Sequence, residues 1–300
     1  MNESEQRIRF FHVCTDGTSN GIVHFSDEDY EQADKTTAVS ALKAGVHIVC
    51  HCHMSTHSHF VVWCNSKEDA MKFGETYKHD YSLYVYKEHK VSCVYRGVSV
   101  TVREIIDAWD LRGCIAYTLL NPVTARIVTS PESYKWSSFC AYFQKPGSGL
   151  IPVSELSSTQ LRKIFKTHYD LKGSGFMVDE EGHIDVKTFV DYRFVEKLFG
   201  GVTKFFKVLA VTDCAEEELK YTDLASTVKY TDDDLRTEAL ALAKKKYGRD
   251  NLDALPLEQK ARLVLPLRKK TGAVLSRLAR VLRLNYQFVK RLVGDSSDDE

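Results

Sequence analysis

Five of the chain's eleven histidines fall between positions 47 and 59, in the run HIVCHCHMSTHSHFVVW. His57 and His59 are two residues apart and lead into Phe60-Val61-Val62-Trp63, a β-prone stretch. On a strand, residues i and i+2 point to one face, so both imidazoles project together. Two neutral imidazoles on one sheet face can bind a divalent metal, and an oxygen-bearing ligand from another element would complete the protein's share. His-x-His alone is a weak signal, because His51, His53, His57 and His59 can equally be strand residues hydrogen-bonded by their neighbours. It gains weight from a companion. In CIAYTLLNPVTA, Tyr117 and Asn121 stand four apart and share one helical face. A free phenol, with a pKa of about 10, is a poor nucleophile, and a divalent cation on the phosphodiester oxygens makes its attack feasible. The expected division of labour is His57, His59 and Asn121 as metal ligands and Tyr117 as the group that attacks phosphorus. Cys50 and Cys52 flank His51 and raise zinc as an alternative. A structural zinc site needs four ligands, usually as two spaced pairs; with one pair visible, no zinc site is expected there.

Stepping outward, residues 8–13 and 21–25 are apolar runs separated by TDGTSN, which predicts a hairpin. Asp27 to Ala44 reads as a helix with Ser26 as its cap and Gly45 as its stop. Residues 46–54 and 57–63 read as strands, 66–80 as a helix capped by Ser66, and 83–86 and 91–102 as further strand. A helix over 103–121 is expected to stop at Pro122. The order β-β-α-β-β-α-β-α predicts an α+β fold, an antiparallel sheet with helices packed on it. DEEGH at 179–183 lacks the spaced ligands of a calcium loop and reads as a surface turn.

Several blocks together resemble the REP-associated tyrosine transposases, within the single-tyrosine HUH superfamily. FFHVCTDGTSNGIVHFSDEDY is similar to that family's opening strand, glycine-bearing turn and acidic helix start. HMSTHSHFVV stands where the family has M-P-N-H-V-H, and YTLLNPVTARIV followed by YKWSSF matches its Y-I-x-x-N-P-V-x-A-x-x-V…W-x-W-S-S signature. The resemblance spans residues 8–143. It implies an HUH endonuclease-like (ferredoxin-like, RRM-like) domain over 1–145, with His57 and His59 as ligands of Mg2+ or Mn2+ and Asn121 as the third. Tyr117 would cut single-stranded DNA hairpins (REP-like palindromes), forming a 5′-phosphotyrosine and freeing a 3′-OH, and a 3′-OH attacking that link would rejoin strands. The chain would work as a monomer or homodimer in a bacterial cytoplasm, associated with the nucleoid. The competing reading is a catalytically idle hairpin-binding protein. Whether Tyr117 serves its own histidines or a second copy's is left open. Ser55 and Thr56 replace the family's Pro-Asn, and Ser58 stands where the residue between the histidines is normally apolar.

Composition bounds the rest. Lys+Arg and Asp+Glu are each 41, a formal net charge of zero, which excludes a uniformly basic DNA coater. Hydrophobic content of 43% and only six prolines exclude a largely disordered chain. No apolar run is long enough to span a membrane, the N-terminus reads as no secretory signal, and eight cysteines without a CxxC pair read as reduced thiols. The zero is a cancellation. Residues 257–293 carry ten basic side chains against Glu258 alone, a charge of +9, while residues 294–300 form an acidic tail of −4. Ala279, Leu282, Leu284, Val289 and Leu292 have the spacing of a helix-turn-helix core, with Arg283 at the usual turn glycine. On that reading 257–293 binds duplex DNA through Arg277, Arg280, Tyr286, Gln287, Lys290 and Arg291. A solvated basic face, or docking on an acidic partner, competes with it. Residues 146–256 read as mixed and mostly helical, with no assigned role.

Overall fold

A computed structural model describes residues 8–15, 21–91, 94–95, 98–145, 147–214, 217, 232–271, 273, 275–285 and 288–289. The chain divides after Thr212 into two compact units. That division coincides with neither sequence-read boundary, at 145 or at 256.

In the first unit, β1 (Arg9–Thr15), α1 (Asp27–Ala44), β2 (His47–His53), β3 (Ser58–Cys64), α2 (Lys67–His89) and β4 (Val100–Ile105) follow one another. They build one antiparallel sheet in the order β2-β3-β1-β4. This β-α-β-β-α-β order is the ferredoxin-like arrangement, so the α+β expectation holds. The first helix starts and stops where its caps dictate. Asp29 Oδ2 accepts from the Phe25 and Ser26 amides at 2.8 and 3.0 Å, and Gly45 takes the left-handed φ of 71° that ends it.

Four sequence expectations fail for identifiable reasons. The strand read over 91–102 and the helix read from 103 are displaced: β4 is Val100–Ile105 and the helix begins at Ala108, where the Asp107 side chain caps it. Residues 21–25 form no strand; the Val23 and His24 amides both donate to the Ser55 carbonyl, so this run is an extended connection laid into the core. Residues 83–86 belong to α2, because Tyr77, Tyr81 and Tyr84 recur at helical spacing and are buried together. α3 (Ala108–Thr124) runs past Pro122 by two residues. The proline removes one N–H donor but does not end the helix, which closes through Ala125 onto the Asn121 carbonyl.

α1 and α2 cover one sheet face, where Phe60 packs edge-on against Phe73 and Tyr77. Burying each such aromatic contributes roughly 1.5–3 kcal/mol. α3 covers the other face and is backed by α5 (Tyr192–Phe199) and α6 (Val202–Val211). A small lobe built from β5 (Ile151–Pro152), α4 (Ser158–Phe165) and β6 (Met177–Val178) packs Val153, Leu161 and Phe165 on Ala38 and Val39 of α1. With the sheet on one side and this lobe on the other, α1 is buried along most of its length. DEEGH is a surface turn, closed by the Gly182 amide donating to the Asp179 carbonyl.

In the second unit, α7 (Asp232–Tyr247), α8 (Leu257–Thr271) and α9 (Leu275–Leu282) enclose a core that includes Leu235, Leu263, Leu267 and Leu278. After α9 the chain turns at Arg283, whose φ of 53° is the left-handed value usually given to glycine. Of the residues read as a helix-turn-helix core, Ala279, Leu282, Leu284 and Val289 are buried, and Leu292 lies outside the described residues. Among the described residues, no helix is long and apolar enough to cross a membrane.

Candidate active site

The pleat of β3 sends His59 to the α3 face, and β1 contributes His12 beside it, since Cys14 pairs with His59 and His12 with Val61. His12 Nε2 lies 3.2 Å from His59 Nδ1, and His59 Nε2 lies 2.9 Å from His57 Nε2. Thr56 Oγ1, 2.9 Å from His57 Nδ1, fixes the outer end of this three-ring chain. Tyr117 comes from α3 and sets its ring edge toward His59 and His12, at centroid distances of 5.5 and 6.1 Å. The tyrosine thus sits beside its own chain's histidines.

Burial holds His12 at about 3, with the Arg103 guanidinium and His57 pushing the same way. Burial, then His57 and His12, likewise depress His59 well below the ordinary imidazole value. Both rings are therefore neutral at physiological pH and carry the lone pair a metal needs. Arg103 stands across from His12 on β4 and makes a two-pronged ion pair with Asp110 of α3, at 2.9 and 3.1 Å. That pair ties the helix bearing Tyr117 to the edge of the sheet.

The donor geometry fits a divalent cation. An ion about 2.1 Å from two nitrogens at right angles holds them about 3 Å apart. His57 Nε2 and His59 Nε2 meet that spacing. Asn121 lies one turn beyond Tyr117, and its Nδ2 donates to the Tyr117 carbonyl at 2.9 Å. This commits the amide nitrogen and leaves Oδ1 as the end it could offer a cation. The structure thus brings His57, His59 and Tyr117 together, with Asn121 one helical turn away. His12 was missed in the sequence; a lone histidine in the apolar run RFFHV carries no local signal.

On the opposite face of the sheet is a second polar cluster, also unread from sequence. Asp34 of α1, His51 and His53 are all buried, and their ligand atoms lie within 4.8 Å of one another, so they could hold a metal. The expectation that His51 and His53 are strand residues satisfied by neighbours holds in part. His51 Nδ1 is 2.6 Å from Ser138 Oγ, and His53 Nδ1 is 2.8 Å from Ser58 Oγ. The two imidazoles hold the Asp34 carboxyl well below its usual range against the opposing pull of burial. A more exposed group, Asp179, Glu181 and His183, occupies the DEEGH turn.

In the second unit Arg280 is exposed on α9. The Arg277 side chain, Tyr286, Gln287, Lys290 and Arg291 lie outside the described residues. Part of the basic charge is already countered, with Arg262 on Glu258, Lys270 on Glu238 and Arg283 on Asp253.

A scan of protein-family models gives no match, and no curated protein matches. Among solved structures the chain is similar to a REP-associated tyrosine transposase bound to a REP hairpin. The identity is 13%, over 46% of this chain and 83% of that one, with a TM-score of 0.33.

Proposed function

We propose that the first unit is a metal-assisted tyrosine transesterase acting on single-stranded DNA hairpins. The observation that carries this reading is the His12–His59–His57 chain with the Tyr117 ring against it, on a sheet face opposite the main helical layer. His57 and His59, with Asn121 Oδ1, would hold Mg2+ or Mn2+, which when bound supplies charge neutralisation at the phosphodiester oxygens. Tyr117 Oη gives up its proton and forms the bond to phosphorus, the bond from phosphorus to the 3′ oxygen breaks, and that oxygen leaves as a hydroxyl, so the proton lost by the phenol is balanced by the one gained there. Each cut exchanges one phosphodiester for another, so rejoining needs no external energy source. His12 backs His59 and keeps it neutral and oriented. The Arg103–Asp110 pair holds α3 so that Tyr117 faces the imidazoles. The second unit, with Arg277, Arg280, Tyr286, Gln287, Lys290 and Arg291, would add duplex affinity through phosphate contacts.

The test is a labelled single-stranded hairpin incubated with the full chain and Mg2+ or Mn2+. A covalent protein–DNA adduct is expected, and Tyr117→Phe removes it. No adduct across a broad hairpin panel with either metal would overturn the assignment. One observation favours hairpin binding without cleavage as a second reading: Tyr117 is only 6% exposed. Tight hairpin binding without adduct, unchanged in His57→Ala, is the result expected of it.

A further inference from the structure

Asp34 Oδ1 lies 2.8 Å from His51 Nε2 and 3.3 Å from His53 Nε2. At such distances an imidazole and a carboxylate ordinarily share a hydrogen bond. His51 Nε2 and Asp34 Oδ1 are both shielded from solvent and lie at ion-pair distance without a well-directed hydrogen bond. With His53 Nε2 they put three ligand atoms within 4.8 Å of one another, the spacing at which one cation can be shared by all three. We propose that Asp34, His51 and His53 form a second metal site, holding a zinc ion that fastens α1 to β2 and takes no part in strand cleavage.

The surroundings have the form a metal site requires. Each ring's outer nitrogen is taken by a serine hydroxyl, Ser138 Oγ for His51 and Ser58 Oγ for His53. Such outer hydrogen bonds fix the ring orientation and leave Nε2 as the inward donor. Thr37 Oγ1 stands 3.4 Å from His53 Nε2, and its hydrogen is already given to the Ala33 carbonyl at 2.8 Å. Its lone pairs are therefore available beside His53 Nε2, where the hydroxyl could serve as a fourth ligand. Two imidazoles with one carboxylate select zinc over magnesium or calcium, which prefer all-oxygen sets. The same donors serve iron in oxygenases only where coordination positions stay open to substrate. His51 and His53 are 0% exposed, so no substrate reaches them. An ion here enters as the chain folds, and its binding energy becomes folding energy.

The inference is independent of the cleavage reading, and its test keeps the two apart. The full chain is refolded with zinc, passed through gel filtration and assayed for metal by mass spectrometry, alongside a chain carrying His57→Ala and His59→Ala. Stoichiometric zinc in both is expected, released only on unfolding, with loss to background in Asp34→Asn and His53→Gln. Should those two variants fail to fold, cobalt decides on the wild-type and His57→Ala/His59→Ala chains. Both should show intense visible d–d absorption without a thiolate-to-cobalt band, bleached by excess zinc. A natively folded chain without bound metal would overturn the site in favour of a buried ion pair. So would metal lost from the His57→Ala/His59→Ala chain, or a thiolate band placing the ion on Cys50 or Cys52.

Discussion

His57 and His59, just before and within β3, and His51 and His53 on neighbouring β2 are both pairs at i and i+2, yet they point to opposite faces of a single sheet. Cys52 pairs with His59, and His53 pairs with Ser58, so the register sets the two histidine pairs back to back. What separates them is the element laid over each. α3 brings a tyrosine to one pair, and His57 stays partly exposed there. α1 brings a carboxylate to the other and seals it. The spacing of donors on a strand therefore does not choose between chemistry and architecture. The covering helix chooses, by what it carries and how much solvent it leaves.

The sharpest break between the faces is expected from the tyrosine. Tyr117→Phe should abolish covalent adduct while leaving the thermal midpoint close to wild type. His59→Ala should slow adduct formation on the order of 10²–10³-fold, read in single turnovers with saturating metal. His53→Ala should do the reverse, costing about 3–5 kcal/mol in denaturant unfolding because Asp34 is left buried with one partner fewer. Adduct yield per folded molecule should survive it. If His53→Ala lost activity and kept stability, the division between the faces would be wrong.

Ser58→Ala is a finer probe. By motif alone, an apolar residue between the histidines is the ordinary choice and should be harmless. Here Ser58 Oγ is 2.8 Å from His53 Nδ1 and 3.1 Å from Tyr77 Oη, so its loss should cost about 1–3 kcal/mol. Acid gives a graded effect that is small at each step. Burial lowers His12 to about 3 and His24 well below the ordinary 6.5. Each takes up a proton on unfolding, so its contribution is full above pH 6.5 and is lost as pH falls toward the folded value. Unfolding free energies from denaturant titrations should fall by about 1.4 kcal/mol per pH unit for each such histidine as pH drops below about 6.5.

Much of the candidate site was legible because its signals are local. His-x-His and Tyr-x-x-x-Asn declare their shared faces through the periods of strand and helix. Ser26 and Gly45 marked both ends of α1. What stayed hidden depends on residues far apart in the chain. Asp34 is one acid among several in α1, and only the packing of that helix on β2 brings it against His51 and His53. His12 becomes part of the site through its pairing with β3, which no local pattern announces. The failed strand at 21–25 has the same root: alternation describes an extended chain, and pairing partners decide whether it joins a sheet. Ser58, a departure from the family motif, becomes intelligible as the partner of His53 across the strand.

That serine also limits how this sequence can change. A strand one residue thick that serves two sites cannot gain or lose a residue between Ser58 and Cys64. A shift of one position would turn Ser58 and Phe60 toward Tyr117 and drive His57 and His59 into the packed layer under α1 and α2, dismantling both sites in one event. Insertions and deletions in this lineage should therefore collect elsewhere, in residues 16–20 and in the segment between α2 and β4, while 58–64 drifts by substitution alone.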